Sequence, residues 1–204
     1  MKGLTTKLVL TALIALALTA LFGTGTASAT RLCTAKGISE VCPVGSIIKT
    51  GTALQAELPA ATTAVLNMGF KKDTCKKSTL KGKTLSEGGG LGNSVSITFE
   101  TATWAECTCP STSQATPWAW AASGSGNVDG ELVGQISLQV ACEGQTCIYS
   151  GSAAYPLKGG TPASFSLNFE LARQAGSGLL CGAMAPYTAT YNITSPATLF
   201  VTKE

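Results

Sequence analysis

The stretch "SVSITFE", residues 94–100, alternates without exception: Val95, Ile97 and Phe99 point one way, and Ser94, Ser96, Thr98 and Glu100 the other. Successive side chains of a strand face opposite sides, so this period marks a half-buried antiparallel strand. The pattern recurs. In "SFSLNFE" (164–170), Phe165, Leu167 and Phe169 oppose Ser164, Ser166, Asn168 and Glu170. In "QISLQVAC" (135–142), Ile136, Leu138, Val140 and Cys142 share a face, and in "YTATYNIT" (187–194), Tyr187, Ala189, Tyr191 and Ile193 do. Further strands are expected at 52–58, 62–67, 75–84, 116–122, 146–155 and 197–202. Asp129-Gly130, Gly88-Gly89-Gly90, Gly159-Gly160 and Gly176-Ser177-Gly178 punctuate them as turns. No amphipathic helix of ordinary length interrupts the series after residue 30. The fold class this predicts is all-β: a single antiparallel β-sandwich, or a partly open barrel, of about nine or ten strands with up to four disulfides.

Working toward the N-terminus, residues 1–29 read as a secretory signal. Lys2 and Lys7 give a positive start, an apolar run follows from Leu8 to Phe22, and Ala27-Ser28-Ala29 supplies a small-residue cleavage site. Residues 30–204 then form one disulfide-linked β domain with no linker to divide it and no further stretch of membrane-spanning length. The expected location is secreted or cell-surface. With the two signal lysines set aside, twelve Lys and Arg face eleven Asp and Glu. That balance argues against nucleic-acid binding, which favours a strongly basic domain.

All eight cysteines follow the cleavage site, and an even number in an exported chain predicts a disulfide framework. No histidine exists in the chain and no pair of C-x2-C knuckles occurs, so a metal centre is not expected. Cys33 and Cys42 can close a short N-terminal loop. Cys142 and Cys147 flank "EGQT", a hairpin loop, which suggests Cys142–Cys147. Cys107 and Cys109 are two apart on an extended segment and should reach different partners. This leaves Cys75–Cys107 with Cys109–Cys181, or the exchange of those partners; the first arrangement is preferred.

"KKDTCKKSTLKGK" (71–83) holds Lys71, Lys72, Lys76, Lys77, Lys81 and Lys83. Strict alternation would put a buried Cys75 on the same face as Lys77, Lys81 and Lys83. The conflict calls for a solvent-side disulfide or a β-bulge near Lys77-Ser78, in either case on a strand at the edge of the sheet, where lysines discourage pairing with other chains. The rival reading is an anion patch made by these six lysines. "TPWAWA" raises a second candidate: Trp118 and Trp120 share a face and either fill the core or form a glycan platform.

Catalysis finds little support. Without histidine the usual base for a Ser or Cys nucleophile is missing. Glu100, Glu106, Glu131, Glu143 and Glu170 could pair as glycosidase carboxylates, yet Glu100 and Glu170 sit at outward strand positions. "GGGLG" (88–92) lacks the Lys-Ser/Thr of a phosphate loop and reads as a flexible turn. No cofactor motif is present.

The order of several stretches resembles a family of exported, cysteine-containing β proteins from actinobacteria. They are Cys33-x8-Cys42-Pro43-Val44-Gly45, "GTALQAEL" (51–58), "CKKSTLKGKT" (75–84), "CTCP" (107–110), "TPWAWAA" (116–122), "CEGQTCIYSG" (142–151), "GGTPASFSL" (159–167) and "YTATYNITSPATLFV" (187–201). The resemblance implies export and disulfides rather than a reaction. Typical members carry a neutral Ser/Thr stretch after the third cysteine, so the lysines here are not essential to a shared role.

The expected function is therefore an exported, non-catalytic, envelope-associated or extracellular structural or binding module, with cell-wall glycan or another envelope component as candidate partner. Its alternatives are a carrier of an apolar small molecule in a cleft between sheets and a carbohydrate-active enzyme using surface carboxylates. Intact-mass analysis of the exported chain is expected to show an N-terminus at Thr30, no thiol-alkylating label before reduction, and eight labels after it.

Overall fold

A computed structural model describes residues 29–37, 41–90, 93–112, 118–124 and 128–203, so all of the expected signal except Ala29 lies outside the described residues. Twelve strands follow in order: β1 (Thr30–Cys33), β2 (Ala53–Glu57), β3 (Ala64–Asn67), β4 (Lys72–Thr84), β5 (Val95–Cys107), β6 (Ser111–Thr112), β7 (Trp118–Gly124), β8 (Gly130–Cys142), β9 (Gln145–Lys158), β10 (Ala163–Arg173), β11 (Met184–Ser195) and β12 (Phe200–Lys203). No helix occurs among the described residues. The all-β, antiparallel, disulfide-linked class is as expected. Strands β1 and β6, only four and two residues long, were too short to carry a period.

The sheet closes on itself. Its hydrogen-bonded path runs β10-β9-β8-β7-β5-β4-β2-β11, and β11 returns to β10 through ten consecutive residue pairs. Strands β2 and β3 share one position end to end, since both pair with β4 and with β11. Strand β6 similarly extends the position of β7 beside β8. The result is an eight-position antiparallel barrel in which sequence neighbours are spatial neighbours. The two echoing segments "SVSITFE" and "SFSLNFE" lie on β5 and β10, four positions apart and so on opposite sides of the ring.

Closure corrects the expectation of an edge strand for the lysine stretch. Strand β4 is paired on both sides, with β5 on one and with β2 and β3 on the other. The conflict between Cys75 and the lysines is resolved by a flip. Lys76 and Lys77 both face out, which lets Asp73 and Cys75 point inward before them and Ser78 and Leu80 after them. Strand β5 flips in step at Ala105 and Glu106, and Glu106 carries the positive φ of 54° that this requires.

The interior is filled by inward side chains from every position of the ring. Phe99, Trp120, Tyr155 and Phe165 meet at centroid distances of 5.4–6.4 Å, and Tyr191 stacks on Phe165. Gly134 makes room for the Trp120 indole, whose ring atoms lie 2.6–2.8 Å from where a Cβ would be. The two-stranded sheet β1–β12 covers one end, where Leu32 and Leu199 meet Leu54, Ile97, Leu132 and Leu157. The glycine loop is not merely a flexible turn. At Gly88, φ +67°, a Cβ would stand 1.9 Å from the Thr30 carbonyl oxygen, so the backbone there lies against β1, while Leu91 and Gly92 of that stretch lie outside the described residues.

Four disulfides are present. Cys33–Cys42 and Cys75–Cys107 are the pairs proposed from sequence. Cys109 bonds Cys142 and Cys147 bonds Cys181, correcting the expected Cys109–Cys181 and Cys142–Cys147. The reason is the hairpin. Its loop is two residues, Glu143 and Gly144, both with positive φ, rather than four. Cys142 therefore faces Gln145 and Cys147 faces Val140, which separates the two sulfurs along the ladder.

Gly134→Ala is expected to destabilise the barrel by about 1–3 kcal/mol through overpacking against Trp120. Urea unfolding should show a lowered midpoint with an unchanged slope.

Candidate functional site

Strand alternation decides which residues can meet a ligand. Trp118 and Trp120 face inward and are 2% and 3% exposed, so the glycan platform proposed for them is corrected to core. Trp118 packs beside half-buried Trp104 at 6.0 Å. The preference for barrel interiors to bury large aromatic area outweighs the indole's polar edge.

Around these rings lies a polar cluster that the sequence did not reveal. Ser78 Oγ and the Tyr191 hydroxyl are 2.9 Å apart, and the Tyr191 and Tyr187 hydroxyls 3.1 Å. Ser78 reaches the cluster only because the strand flips at Lys76–Lys77, a shift that local composition does not specify. Burial raises the phenols of Tyr149, Tyr155, Tyr187 and Tyr191 above their ordinary value, and the neighbouring Tyr191 raises Tyr187 further.

Enclosed space among the described residues is small. One cavity of about 20 Å³ is bounded by Ala64, Leu66, Asp73, Trp104, Leu138 and Tyr187, and another of about 10 Å³ lies under β1. Each has room for about one water. Asp73, buried beside the first, accepts a hydrogen bond from the Cys109 backbone N–H at 2.9 Å. It also lies within reach of the Cys75 and Cys107 sulfurs, but these are joined in a disulfide and so are not thiolate ligands.

The six lysines of 71–83 are brought to one side of the barrel, but half of them are taken. Lys71 pairs with Glu143 at 2.6 Å, Lys83 with Glu100 at 2.7 Å, and Lys77 with Glu106. The Lys77 ammonium, by hydrogen bond and charge, holds the Glu106 carboxyl below its usual range. Lys72, Lys76 and Lys81 make no ion pair among the described residues. Their interleaving with glutamates makes the face mixed in sign rather than a continuous anion patch.

The same pairs account for three of the five candidate carboxylates. Glu131 and Glu170 stand on β8 and β10, exposed and outward. None of the four hollows found among the described residues is lined by two carboxylates.

Two of those hollows are on the outside. One, of about 300 Å³, is floored by Thr79, Thr101 and Thr103 and bordered by Gln55, Glu57 and Lys81. The other, of about 460 Å³, lies at Ser86, Glu87, Gly88, Asn93, Ser94 and Ser96. Comparison with protein-family models, with curated proteins and with solved structures returns no match.

All four tyrosines of the chain are raised, which gives a pH signature. The folded chain keeps phenol protons that the unfolded chain loses near pH 10. Stability from this source is therefore fully present below about pH 10 and falls as pH rises beyond it. Tyrosinate absorbance is expected to appear in one step together with loss of β-sheet circular dichroism, rather than at the ordinary phenol value.

Proposed function

We propose that this chain is an exported, non-catalytic binding module that works through the outer face of its barrel, with cell-wall glycan as the ligand class. The observation that carries this is the contrast between the two faces of the same strands. Inside, aromatic and aliphatic side chains leave voids of about 20 and 10 Å³, well short of the roughly 300–1,000 Å³ of small-molecule sites. Outside, hydroxyls and amides stand in rows. Ser164, Ser166 and Asn168 run along β10 beside Thr188, Thr190, Asn192 and Thr194 on β11, and Ser166 and Thr190 hydroxyls are 3.1 Å apart. Such rows can give and accept hydrogen bonds with a polyhydroxylated polymer. Export and an envelope location rest on the signal-like first residues and on four disulfides, which suit an oxidising compartment.

A pull-down of the oxidised protein on insoluble cell-wall glycan, at low and high salt, tests this. Retention at low salt that persists in part at high salt is expected. Complete loss at high salt would mark a polyanion binder acting through its lysines. Release of soluble sugar, or stoichiometric uptake of an apolar dye by the folded barrel, would overturn the non-catalytic or surface-binding parts of the proposal.

A further inference from the structure

The geometry points to the trough over β2, β4 and β5 as a binding site for a carboxylated saccharide. This rests on the glycan-binding reading above and gives it a place and a ligand class. The ladder sets six outward residues in two rows. Gln55, Lys81 and Thr101 form one; Glu57, Thr79 and Thr103 form the next. Between them lies the hollow of about 300 Å³, large enough for a small ligand.

Local structure explains the hollow. Short threonines make the floor while longer side chains stand around it. On one wall the Gln55 amide donates to Glu57 Oε1 at 2.5 Å, which ties the two side chains together. At the other side β5 carries an extra residue, so the register shifts between Lys81 and Gly82, and Glu100 and Thr101 both face out. The Thr103 hydroxyl is turned back toward the Thr79 carbonyl, 3.4 Å away.

The lining chemistry then selects the ligand. No hydrophobic residue borders the trough, so an apolar molecule would leave its hydroxyls, amide and charges without partners. Three hydroxyls and one amide offer both donors and acceptors, and Glu57 adds acceptors; sugar hydroxyls satisfy that mixture. Charge supplies the rest. Lys77 and Lys83, on either side along β4, are engaged by Glu106 and Glu100. Lys81, between them, makes no ion pair among the described residues and is the cation left to meet a carboxylate. The larger hollow at 86–96 has no cation in its lining, and its charged group, Glu87, is already held by Lys49 at 3.1 Å.

Nuclear magnetic resonance titration with trigalacturonate and with its fully methyl-esterified form tests the assignment, since the two differ in charge and share their ring hydroxyls. The acid is expected to shift the amides of Thr79, Lys81, Thr101 and Thr103 and to bind about tenfold more tightly than the ester, the size of one charge-assisted contact. Lys81→Gln should abolish that preference. Equal binding of acid and ester, or shifts centred elsewhere on the barrel, overturns the assignment. If the protein is retained on cell-wall glycan while neither trisaccharide moves these amides, the trough fails and the glycan-binding reading stands. If neither assay shows binding, both fail.

Discussion

The hydrogen-bonded seam that joins β11 to β10 on one side and to β2 and β3 on the other closes the sheet, and closure fixes the space inside. A ring of about eight strands encloses an interior just wide enough for its own side chains, unless small residues are set there to leave a lumen. This chain does the opposite. Phe99, Trp118, Trp120, Tyr149, Tyr155, Phe165, Tyr187 and Tyr191 all point inward and are buried. The interior is thereby a core, and any ligand must be met by the outside. Closure also leaves no long edge strand to be defended. The lysines of residues 71–83 are thus free of that duty, and three of them are engaged by glutamates of neighbouring strands and turns.

The two ends are secured differently. At one, β1 and β12 lie over the opening, with Cys33–Cys42 tying down the segment that follows β1. At the other, Cys75–Cys107, Cys109–Cys142 and Cys147–Cys181 join strand ends across sequence separations of 32, 33 and 34 residues. Loops of that length lose enough freedom in the unfolded chain for each bond to contribute roughly 3–4 kcal/mol. A barrel with a full core does not need so much to fold. The rigid strands also hold the threonine-floored trough in a fixed shape, so that little ordering cost falls on binding.

Much of this was legible beforehand. "SVSITFE" and its counterparts announce strands, and the inward members of each alternation are the core residues of the barrel. The conflict at Cys75 was also readable, as calling for a solvent-side disulfide or a flip near Lys77-Ser78; the structure takes the flip, at Lys76 and Lys77. Where Trp118 and Trp120 would point was open, because alternation groups residues by face without saying which face is inside.

The sequence by itself determined strand periodicity, the reservoir of eight cysteines and the scarcity of catalytic side chains, because each depends on residue identity and short spacing. Only the tertiary structure decided that the sheet closes, that Cys109 meets Cys142, that Ser78 reaches Tyr191, and that Lys81 is left beside three threonines. Those outcomes depend on register between strands distant in the chain. A one-residue slip reverses every face, and a two-residue difference in one hairpin re-pairs four cysteines.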